Sequence, residues 1–351
     1  MLSELKHRMF RMSIEWSRIE PEEGWHDEEA LNHYLAMFEE LKKRGIKLCL
    51  TLHHFSHPQW FEEKGEFRER ENISFFLRHL EYLVPKIAQY VDLWNIFNEF
   101  NNGDSLELYD RKTNCLIAHA KAAAIIRAYS QAPVSTAHAM TPYFPANPDD
   151  EFDITRTRIT NWVVNDFFYH AVRTGEILFP YRDAVEIPEL KGACDFWAIN
   201  YYTRHEVSSR TKNGGAELLT YQQLKLIDKE FYMSSFYPEG LYNELQRLKD
   251  KPVYITENGF CCDDDRLRIL YIGRHLQALN EAMERGCDIR GYLYWSLMDN
   301  YEWVSFIPRF GMVHVDFKTF KRTPKPSSQF FKEIIKHNGF TPAMVDKYLP
   351  E

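Results

Sequence analysis

The feature of this 351-residue chain that most constrains its fold is an alternation of apolar, strand-like runs with helix-like stretches from end to end. Strands that alternate with helices predict βαβ units, in which a parallel sheet is covered on both faces. We interpret seven runs as strands, at residues 9–14, 46–53, 91–97, 133–139, 194–202, 252–256 and 289–297. The sequence therefore predicts an α/β fold built on a parallel sheet.

Helix-like stretches separate these runs, and several end at a residue that commonly stops a helix. They cover residues 27–44, 75–90, 115–129, 162–174, 238–248, 266–285 and 327–337. Gly45, Gly175 and Gly286 follow three of them directly, where glycine often ends a helix. Residues 204–235 fit the alternation poorly and predict a long loop. Since no linker-like segment divides the chain, we expect one domain over residues 1–351.

Composition and charge exclude several classes of partner. Lys and Arg number 43 against 51 Asp and Glu, so the net charge is −8, and no basic block is present. A nucleic-acid partner and an anionic membrane surface are therefore not expected. The chain has no apolar run long enough to span a bilayer, and residues 1–16 do not resemble a secretory signal. The spacing of the six cysteines matches neither a zinc pattern nor a disulfide framework and favours a cytoplasmic protein, and we expect no metal and no cofactor.

Five of the apolar runs end in side chains that form hydrogen bonds. The endings are TLHH at 51–54, NE at 98–99, NYY at 200–202, TEN at 256–258 and WSLMDN at 295–300. Buried polar groups need partners, so packing alone does not explain so many of them. In a parallel barrel the carboxyl ends of the strands meet at one face, which carries the chemistry. We therefore expect a functional site built from these endings.

Two carboxylates in these endings, Glu99 and Glu257, each follow a strand and each neighbour an asparagine. Position selects them among the 51 acidic residues, most of which we expect at the solvated surface. Cleavage of a glycoside needs two carboxyl groups, one protonated to assist the leaving oxygen and one ionised to attack or to activate water. The pair is therefore a candidate catalytic pair, although each residue alone could be a structural acid at a strand end.

Six motifs in order make the chain similar to the β-glycosidases of glycoside hydrolase family 1, the β-glucosidase and β-galactosidase group. The motifs are RMSIEWSRIEPEEG at 11–24, TLHHF at 51–55, WNIFNE at 94–99, DFWAINYYT at 195–203, YITENG at 254–259 and YWSLMDNYEWVSFIPRFGMVHVD at 294–316. They resemble the family's segments at barrel strands two, three, four, six, seven and eight. The resemblance implies a (β/α)8 TIM barrel and a small carbohydrate substrate.

The resemblance also implies a role for each residue of the expected site. Glu257 would be the nucleophile and Glu99 the acid/base of a retaining mechanism, which requires carboxyl groups about 5–5.5 Å apart. Arg11 and Tyr202 would hold Glu257 ionised and aligned. The residues implied in substrate binding are Asn98 at the 2-OH, His54 and Trp303 near the 3-OH, Glu302 at the 4-OH and 6-OH, Trp295 as a stacking platform, and Asn200.

The chain departs from the family pattern in two places. The family's first barrel strand, with a sugar-binding glutamine, precedes the segment that resembles residues 11–24. We therefore expect that strand to be absent and the barrel to have seven recognisable strands. Phe100 stands where the family usually has proline, and the short segment 100–110 is expected to open the side of the site that binds the leaving group.

Other interpretations of single residues stay open. His53, His54 and His57 could suggest a metal cluster, but adjacent residues of a strand point to opposite faces, so only one of the first two can enter a pocket. Cys261 and Cys262 are more often two thiols than a site. Trp295 and Trp303 could be core aromatics.

The phospho-β-glycosidases of the same family replace the glutamate–tryptophan pair with serine, lysine and tyrosine. Here Glu302 and Trp303 are present. Because a carboxylate at the sugar 6-position repels a phosphate, the resemblance favours an unphosphorylated sugar.

Three hypotheses of different classes remain. The chain is an active retaining β-glycosidase, or a glycan-binding or scaffolding protein derived from one, or a fragment that folds only as an assembly. A missing strand supports the last two, because it would leave barrel strands two and eight with exposed edges, and exposed edges invite homo-oligomerisation. Both carboxylates are kept, which favours the enzyme.

Overall fold

The computed structural model describes residues 1–210, 236–303 and 305–349. Their contacts divide the chain into two compact units. The first unit comprises Met9–Met140 and Asn147–Asn200, and the second comprises Met1–Arg8, Thr141–Ala146 and Tyr201–Glu351. A single domain over residues 1–351 stays a prediction.

The main sheet of the described chain has seven strands, the number that the sequence predicts. In the first unit β1, β2, β3 and β4 lie side by side in parallel register, followed by β8, whose last residue belongs to the second unit. In the second unit β10 pairs with β11 in parallel. Their bounds are Met9–Ser13 (β1), Lys47–His53 (β2), Leu93–Asn98 (β3), Val134–Met140 (β4), Trp197–Tyr201 (β8), Val253–Asn258 (β10) and Ile289–Tyr294 (β11).

Three short two-stranded sheets accompany the main sheet. They pair Tyr143–Pro145 (β5) with His205–Val207 (β9), Glu176–Ile177 (β6) with Val185–Glu186 (β7), and Val313–Val315 (β12) with Arg322–Pro324 (β13). Strand β9 lies at the start of the segment 204–235, for which the sequence predicts a loop. Residues 211–235 of that prediction lie outside the described residues.

The α-helices of the described chain are named α1 to α11 in chain order. Those up to residue 174 are Trp16–Ile19 (α1), Glu28–Lys43 (α2), Gln59–Glu63 (α3), Ile73–Ile87 (α4), Leu108–Tyr129 (α5), Glu151–Asn161 (α6) and Phe167–Thr174 (α7). The later ones are Pro238–Leu245 (α8), Asp265–Glu284 (α9), Pro326–His337 (α10) and Pro342–Tyr348 (α11). Short 3₁₀ turns cover Glu66–Arg68, Arg70–Asn72, Ala88–Tyr90 and Pro188–Leu190.

The ends of several helices follow from their local sequence. Helix α2 begins after Asp27, whose side chain accepts hydrogen bonds from the backbone N–H groups of Glu29 and Ala30. Helix α7 ends at Gly175, which has a φ of 84° and donates its N–H to the carbonyl of Ala171. Only glycine adopts this left-handed backbone without cost, so the predicted stop at this residue is confirmed.

Two helices differ from the sequence expectation. Helix α5 begins at Leu108, seven residues before the apolar stretch from which it was predicted, because its first two turns are mostly polar. The predicted helix 162–174 opens with a π-helical turn at Trp162–Asp166 and continues the unpredicted helix α6. The apolar pattern of α6 is weak because only Phe152, Ile154 and Ile159 of its eleven residues are apolar.

Each unit has its own buried core. In the first unit Trp16, Phe61, Phe67, Phe76 and Phe97 are fully buried and contact one another through their rings. In the second unit the core includes Ile269 from α9, Phe330 from α10 and Met312, which directly precedes β12. Among the described residues, we find no helix that combines the length and the apolar character needed to cross a membrane.

Candidate functional site

Glu99 directly follows β3 and has the backbone φ of a left-handed residue, 49°. Its N–H donates to the carbonyl of Ala137 at 2.8 Å. The amide of Asn200 donates to Glu99 Oε1 at 2.8 Å, and the amide of Asn102 donates to Oε2 at 3.0 Å. A non-glycine residue keeps such a backbone only where its surroundings hold it, and these contacts fix both the backbone and the carboxylate.

Asn98 links three strands of the first unit. Its buried Oδ1 accepts from Arg11 Nη2 at 2.6 Å and from Asn200 Nδ2 at 3.0 Å. Arg11 lies on β1, Asn98 ends β3 and Asn200 lies on β8. With Glu99 they form one hydrogen-bonded network, so the structure brings together four of the residues that the sequence selects.

The two adjacent histidines at the end of β2, His53 and His54, have different surroundings, as the strand pattern predicts. His54 Nδ1 lies 3.0 Å from Ser13 Oγ. Burial, assisted by the positive charge of Arg11, lowers the pKa of His54 to about 3, so its ring is neutral and can both donate and accept. His53 is buried against the rings of Phe67 and Phe97 instead.

In the second unit Glu257 lies on β10 and is buried. Tyr202 Oη donates to Glu257 Oε2 at 2.5 Å, so one oxygen of the carboxylate has a fixed partner. The neighbouring Asn258 donates to the carbonyl of Tyr201 at 2.6 Å and accepts from the hydroxyl of Tyr292 at 2.8 Å. These bonds hold the end of β10 in place.

The loop after β11 carries the other predicted residues of the second unit. Trp295 Nε1 donates to Glu302 Oε1 at 2.8 Å, and Glu302 is buried. Trp303 has a φ of 40° and an exposed fraction of 51%. A half-exposed side chain is not a core residue, so the core interpretation of Trp303 is wrong. Trp295 is partly buried.

Cys261 and Cys262 are fully buried after β10. Burial raises the pKa of the Cys261 thiol to about 12 and that of Cys262 to about 11. Both therefore stay protonated at neutral pH, and a protonated thiol is a poor nucleophile and metal ligand. All six cysteines lie in the described residues, and none of them is in a disulfide.

Sequence reasoning missed Lys112, which is buried in α5. Its Nζ donates to the backbone carbonyls of Asn101, Gly103 and Val163, each at 2.6 Å, and burial lowers the pKa of this amine to about 7. Asn101 and Gly103 belong to the segment that directly follows Glu99. A lysine three residues before the apolar helical run that begins at Cys115 is the signal that could have found it, since lysine is rarely buried unless its amine has partners.

Replacing Lys112 by Met is expected to lower the free energy of unfolding by about 3–5 kcal/mol, because three buried carbonyls lose their hydrogen-bond donor. Urea denaturation at pH 7 measures this loss. Lys121, exposed on the same helix, gives the matched control Lys121→Met, for which we expect a change of about 0.5 kcal/mol or less. An equal loss of unfolding free energy in the two variants would contradict a stabilising role for the buried Lys112.

Comparisons with known proteins identify the family. The glycosyl hydrolase family 1 model matches residues 1–340. The chain is 28% identical to a 6-phospho-beta-galactosidase of Streptococcus mutans, over 92% of this chain and 83% of that protein. It is 29% identical to a beta-galactosidase of Sulfolobus acidocaldarius, over 92% of this chain and 73% of that protein.

Solved structures agree with the family match. The beta-glycosidase from Pyrococcus horikoshii superposes with a TM-score of 0.86 at 32% identity, covering 99% of this chain and 85% of that one. The family 1 beta-glucosidase from Thermotoga maritima in complex with isofagomine lactam gives 0.85 at 26% identity, covering 97% and 85%. These matches confirm the predicted (β/α) barrel fold, and the chain belongs to glycosyl hydrolase family 1 and is a glycoside hydrolase.

Proposed function

We propose that the chain hydrolyses terminal β-D-glycosides with retention of configuration, with Glu257 as nucleophile and Glu99 as acid/base. The observation that carries the proposal is that each glutamate lies at the carboxyl end of a strand, within a family motif, and has its carboxylate oriented by hydrogen bonds. Family membership supplies the reaction class. A glycan-binding or scaffolding role has less support, because both glutamates are kept and the relatives are named as glycosidases.

In the first step Glu257 attacks the anomeric carbon of the sugar. The hydrogen bond from Tyr202 to Oε2 orients the carboxylate for this attack. The bond between the anomeric carbon and the leaving oxygen breaks, its electron pair stays on that oxygen, and Glu99 gives the oxygen a proton. The products are a glycosyl-enzyme ester on Glu257 and the free aglycone.

In the second step Glu99 acts as a base. It removes a proton from a water molecule, the water oxygen attacks the anomeric carbon, and the ester bond to Glu257 breaks with its electron pair returning to the carboxylate. The bonds from Asn200 and Asn102 keep the Glu99 carboxylate in one orientation through both steps. Two inversions at the same carbon give a product with the configuration of the substrate.

The remaining residues bind the sugar in this proposal. Asn98 contacts the 2-OH, a contact that strengthens in the transition state. His54 and Trp303 contact the 3-OH, and Trp295 stacks on the apolar face of the ring. Glu302 accepts from the 4-OH and 6-OH, with its position fixed by the indole of Trp295. Asn200 contacts the substrate beside Asn98, and Arg11 with Tyr202 stabilises the charge of Glu257.

The 6-position of the sugar gives the sharpest test of the substrate class. Because Glu302 would place a negative charge beside a 6-phosphate, we expect kcat/KM for 4-nitrophenyl β-D-glucoside and galactoside to exceed that of their 6-phosphates at least about 10-fold. The isosteric variant Glu302→Gln removes the charge and is expected to narrow this ratio.

A preference for the 6-phosphates would contradict the substrate assignment and place the chain beside its 6-phospho-beta-galactosidase relatives. A panel in which no aryl β-glycoside of either kind is hydrolysed faster than by the Glu257→Gln variant would overturn the enzyme proposal itself.

A further inference from the structure

A cluster outside the candidate catalytic residues joins the segment after α1 to helix α4 in the first unit. It consists of Glu20, His26 and His79, and one ligand atom from each lies within 4.8 Å of the other two. Glu20 and His79 are fully buried, whereas His26 is partly exposed. The cluster is therefore closed on one side and can be reached from the surface on the other.

The histidine nitrogens of this cluster lack partners among the described residues. Neither ring nitrogen of His79 forms a hydrogen bond, although the side chain is 0% exposed. His79 Nδ1 lies 3.5 Å from Glu20 Oε2, a distance at which the two groups attract each other electrostatically but do not form a well-made hydrogen bond, and the buried Nε2 of His26 has no bond either. Leaving such groups unpaired costs about 1–3 kcal/mol each. Burying three of them in one place points to a ligand that they share.

The protonation states suit a cation. Burial opposes ionisation of Glu20, but His79 and hydrogen bonds from Trp16 and Gly24 outweigh it and lower the pKa of Glu20 to about 2. Burial lowers the pKa of His79 and of His26, so both rings are neutral at pH 7. Neutral imidazole and ionised carboxylate are the forms that bind metal ions.

We infer that Glu20, His26 and His79 form a binding site for one zinc ion. Two imidazole nitrogens and one carboxylate oxygen are a common donor set for zinc, with water as the fourth ligand. Donor atoms bound about 2.1 Å from a tetrahedral zinc lie about 3.4 Å apart, close to the 3.5 Å between His79 Nδ1 and Glu20 Oε2. The ion would give one nitrogen of each histidine its partner.

The charges around the cluster leave room for the ion on one side of Glu20. Arg78 donates to Glu20 Oε1 at 3.0 Å, so the guanidinium lies at the oxygen that does not face His79. Lys86 lies over the ring of Tyr82, on which His26 stacks. Two glutamates offset these positive charges. Glu23 lies 3.7 Å from Arg78, and Glu28 accepts a hydrogen bond from Tyr82.

The site would have a structural role, because its ligands come from two separate segments. The loop that carries Glu20 and His26 leads into α2, and His79 lies in the middle of α4. The ring of His79 stacks on Trp16, at a centroid distance of 5.0 Å. Bound zinc would fasten the loop to the helix and raise the stability of the folded chain.

Zinc binding is tested on the full chain after removal of metals with EDTA, by native mass spectrometry and by thermal unfolding with added zinc chloride. We expect one zinc per chain and a rise of the unfolding midpoint by about 3–6 °C at zinc concentrations 100-fold above Kd. The variant His79→Phe keeps an aromatic ring against Trp16 and removes both unpaired nitrogens. It is therefore expected to fold at least as stably as the metal-free parent and to show no zinc-dependent shift.

The control His33→Gln alters an exposed histidine on α2 and is expected to keep the full zinc response. Cobalt substitution gives a second readout, since Co²⁺ bound by two histidines and a carboxylate absorbs visible light. The absorption is expected in the parent chain and in His33→Gln but not in His79→Phe. Absence of saturable zinc binding in the parent, or an equal response in a folded His79→Phe variant, would overturn the inference.

Discussion

Replacing Glu257 by Gln is expected to lower kcat for an aryl β-glucoside by about 10⁴-fold or more while leaving the fold unchanged. The amide is the same size and can still accept the hydrogen bond from Tyr202, but it cannot attack the anomeric carbon. Release of 4-nitrophenol measures the rate, and the thermal unfolding midpoint shows whether the variant is folded. A folded variant with near-parental activity would exclude Glu257 as nucleophile.

The companion variant Glu99→Gln separates the two roles. A leaving group as good as 2,4-dinitrophenolate needs no proton, so the loss of rate in its first step should be much smaller than with 4-methoxyphenyl β-glucoside. Azide is a small nucleophile that can replace a lost carboxylate. With Glu99→Gln it should attack the glycosyl-enzyme and give a β-glycosyl azide, whereas with Glu257→Gln it should attack the substrate and give the α-product. If Glu99→Gln gave the α-azide and Glu257→Gln the β-azide, Glu99 would be the nucleophile and Glu257 the acid/base.

The second large effect expected is a steep loss of stability in mild acid. His119, His138 and His275 are fully buried, and burial lowers the pKa of the first and third to about 4 and that of His138 to about 3. The same side chains in the unfolded chain bind protons below about pH 6.5. The unfolded state therefore takes up more protons than the folded state between about pH 6.5 and 4.

Stability contributed by these neutral rings is fully present above pH 6.5 and is lost as the pH falls toward 4. Three protons correspond to a slope of about 4 kcal/mol per pH unit, enough to unfold a typical domain near pH 5. Urea denaturation at pH 7, 6.5, 6 and 5.5 measures the slope. His119→Gln removes one of these rings and is expected to reduce the slope by about 1.4 kcal/mol per pH unit, with the exposed-site variant His33→Gln as the matched control. A free energy of unfolding that is flat over this range would contradict the buried neutral state.

Much of the fold could be predicted from the sequence because its signals are local. The apolar runs become strands β1 to β4, β8, β10 and β11, with bounds that differ from the prediction by a few residues. The stop of α7 at Gly175 and the start of α2 after Asp27 depend on a few neighbouring residues only. The end of β11 was misplaced, because the apolar character of the chain continues beyond Tyr294 into the loop that carries Trp295.

The details of the candidate site could not be predicted because they depend on contacts between distant segments. Asn98 is bonded to Arg11, which lies 87 positions before it, and to Asn200, which lies 102 positions after it. No local sequence pattern encodes such contacts. Lys112 acts through carbonyl groups, which every residue carries, so its partners leave no trace in the sequence. Glu20 and His79 likewise meet only once α1 and α4 are packed. The motifs identified the residues, and the packing of the strands supplied their partners.

The stereochemistry of the first product tests the central claim most directly. Proton NMR can follow hydrolysis of 4-nitrophenyl β-D-glucoside at high enzyme concentration, before the released sugar mutarotates. A retaining mechanism through a glycosyl-enzyme predicts that β-glucose forms first and that α-glucose accumulates only later. Initial formation of α-glucose would show direct attack by water, and it would contradict the assignment of Glu257 as nucleophile and Glu99 as acid/base.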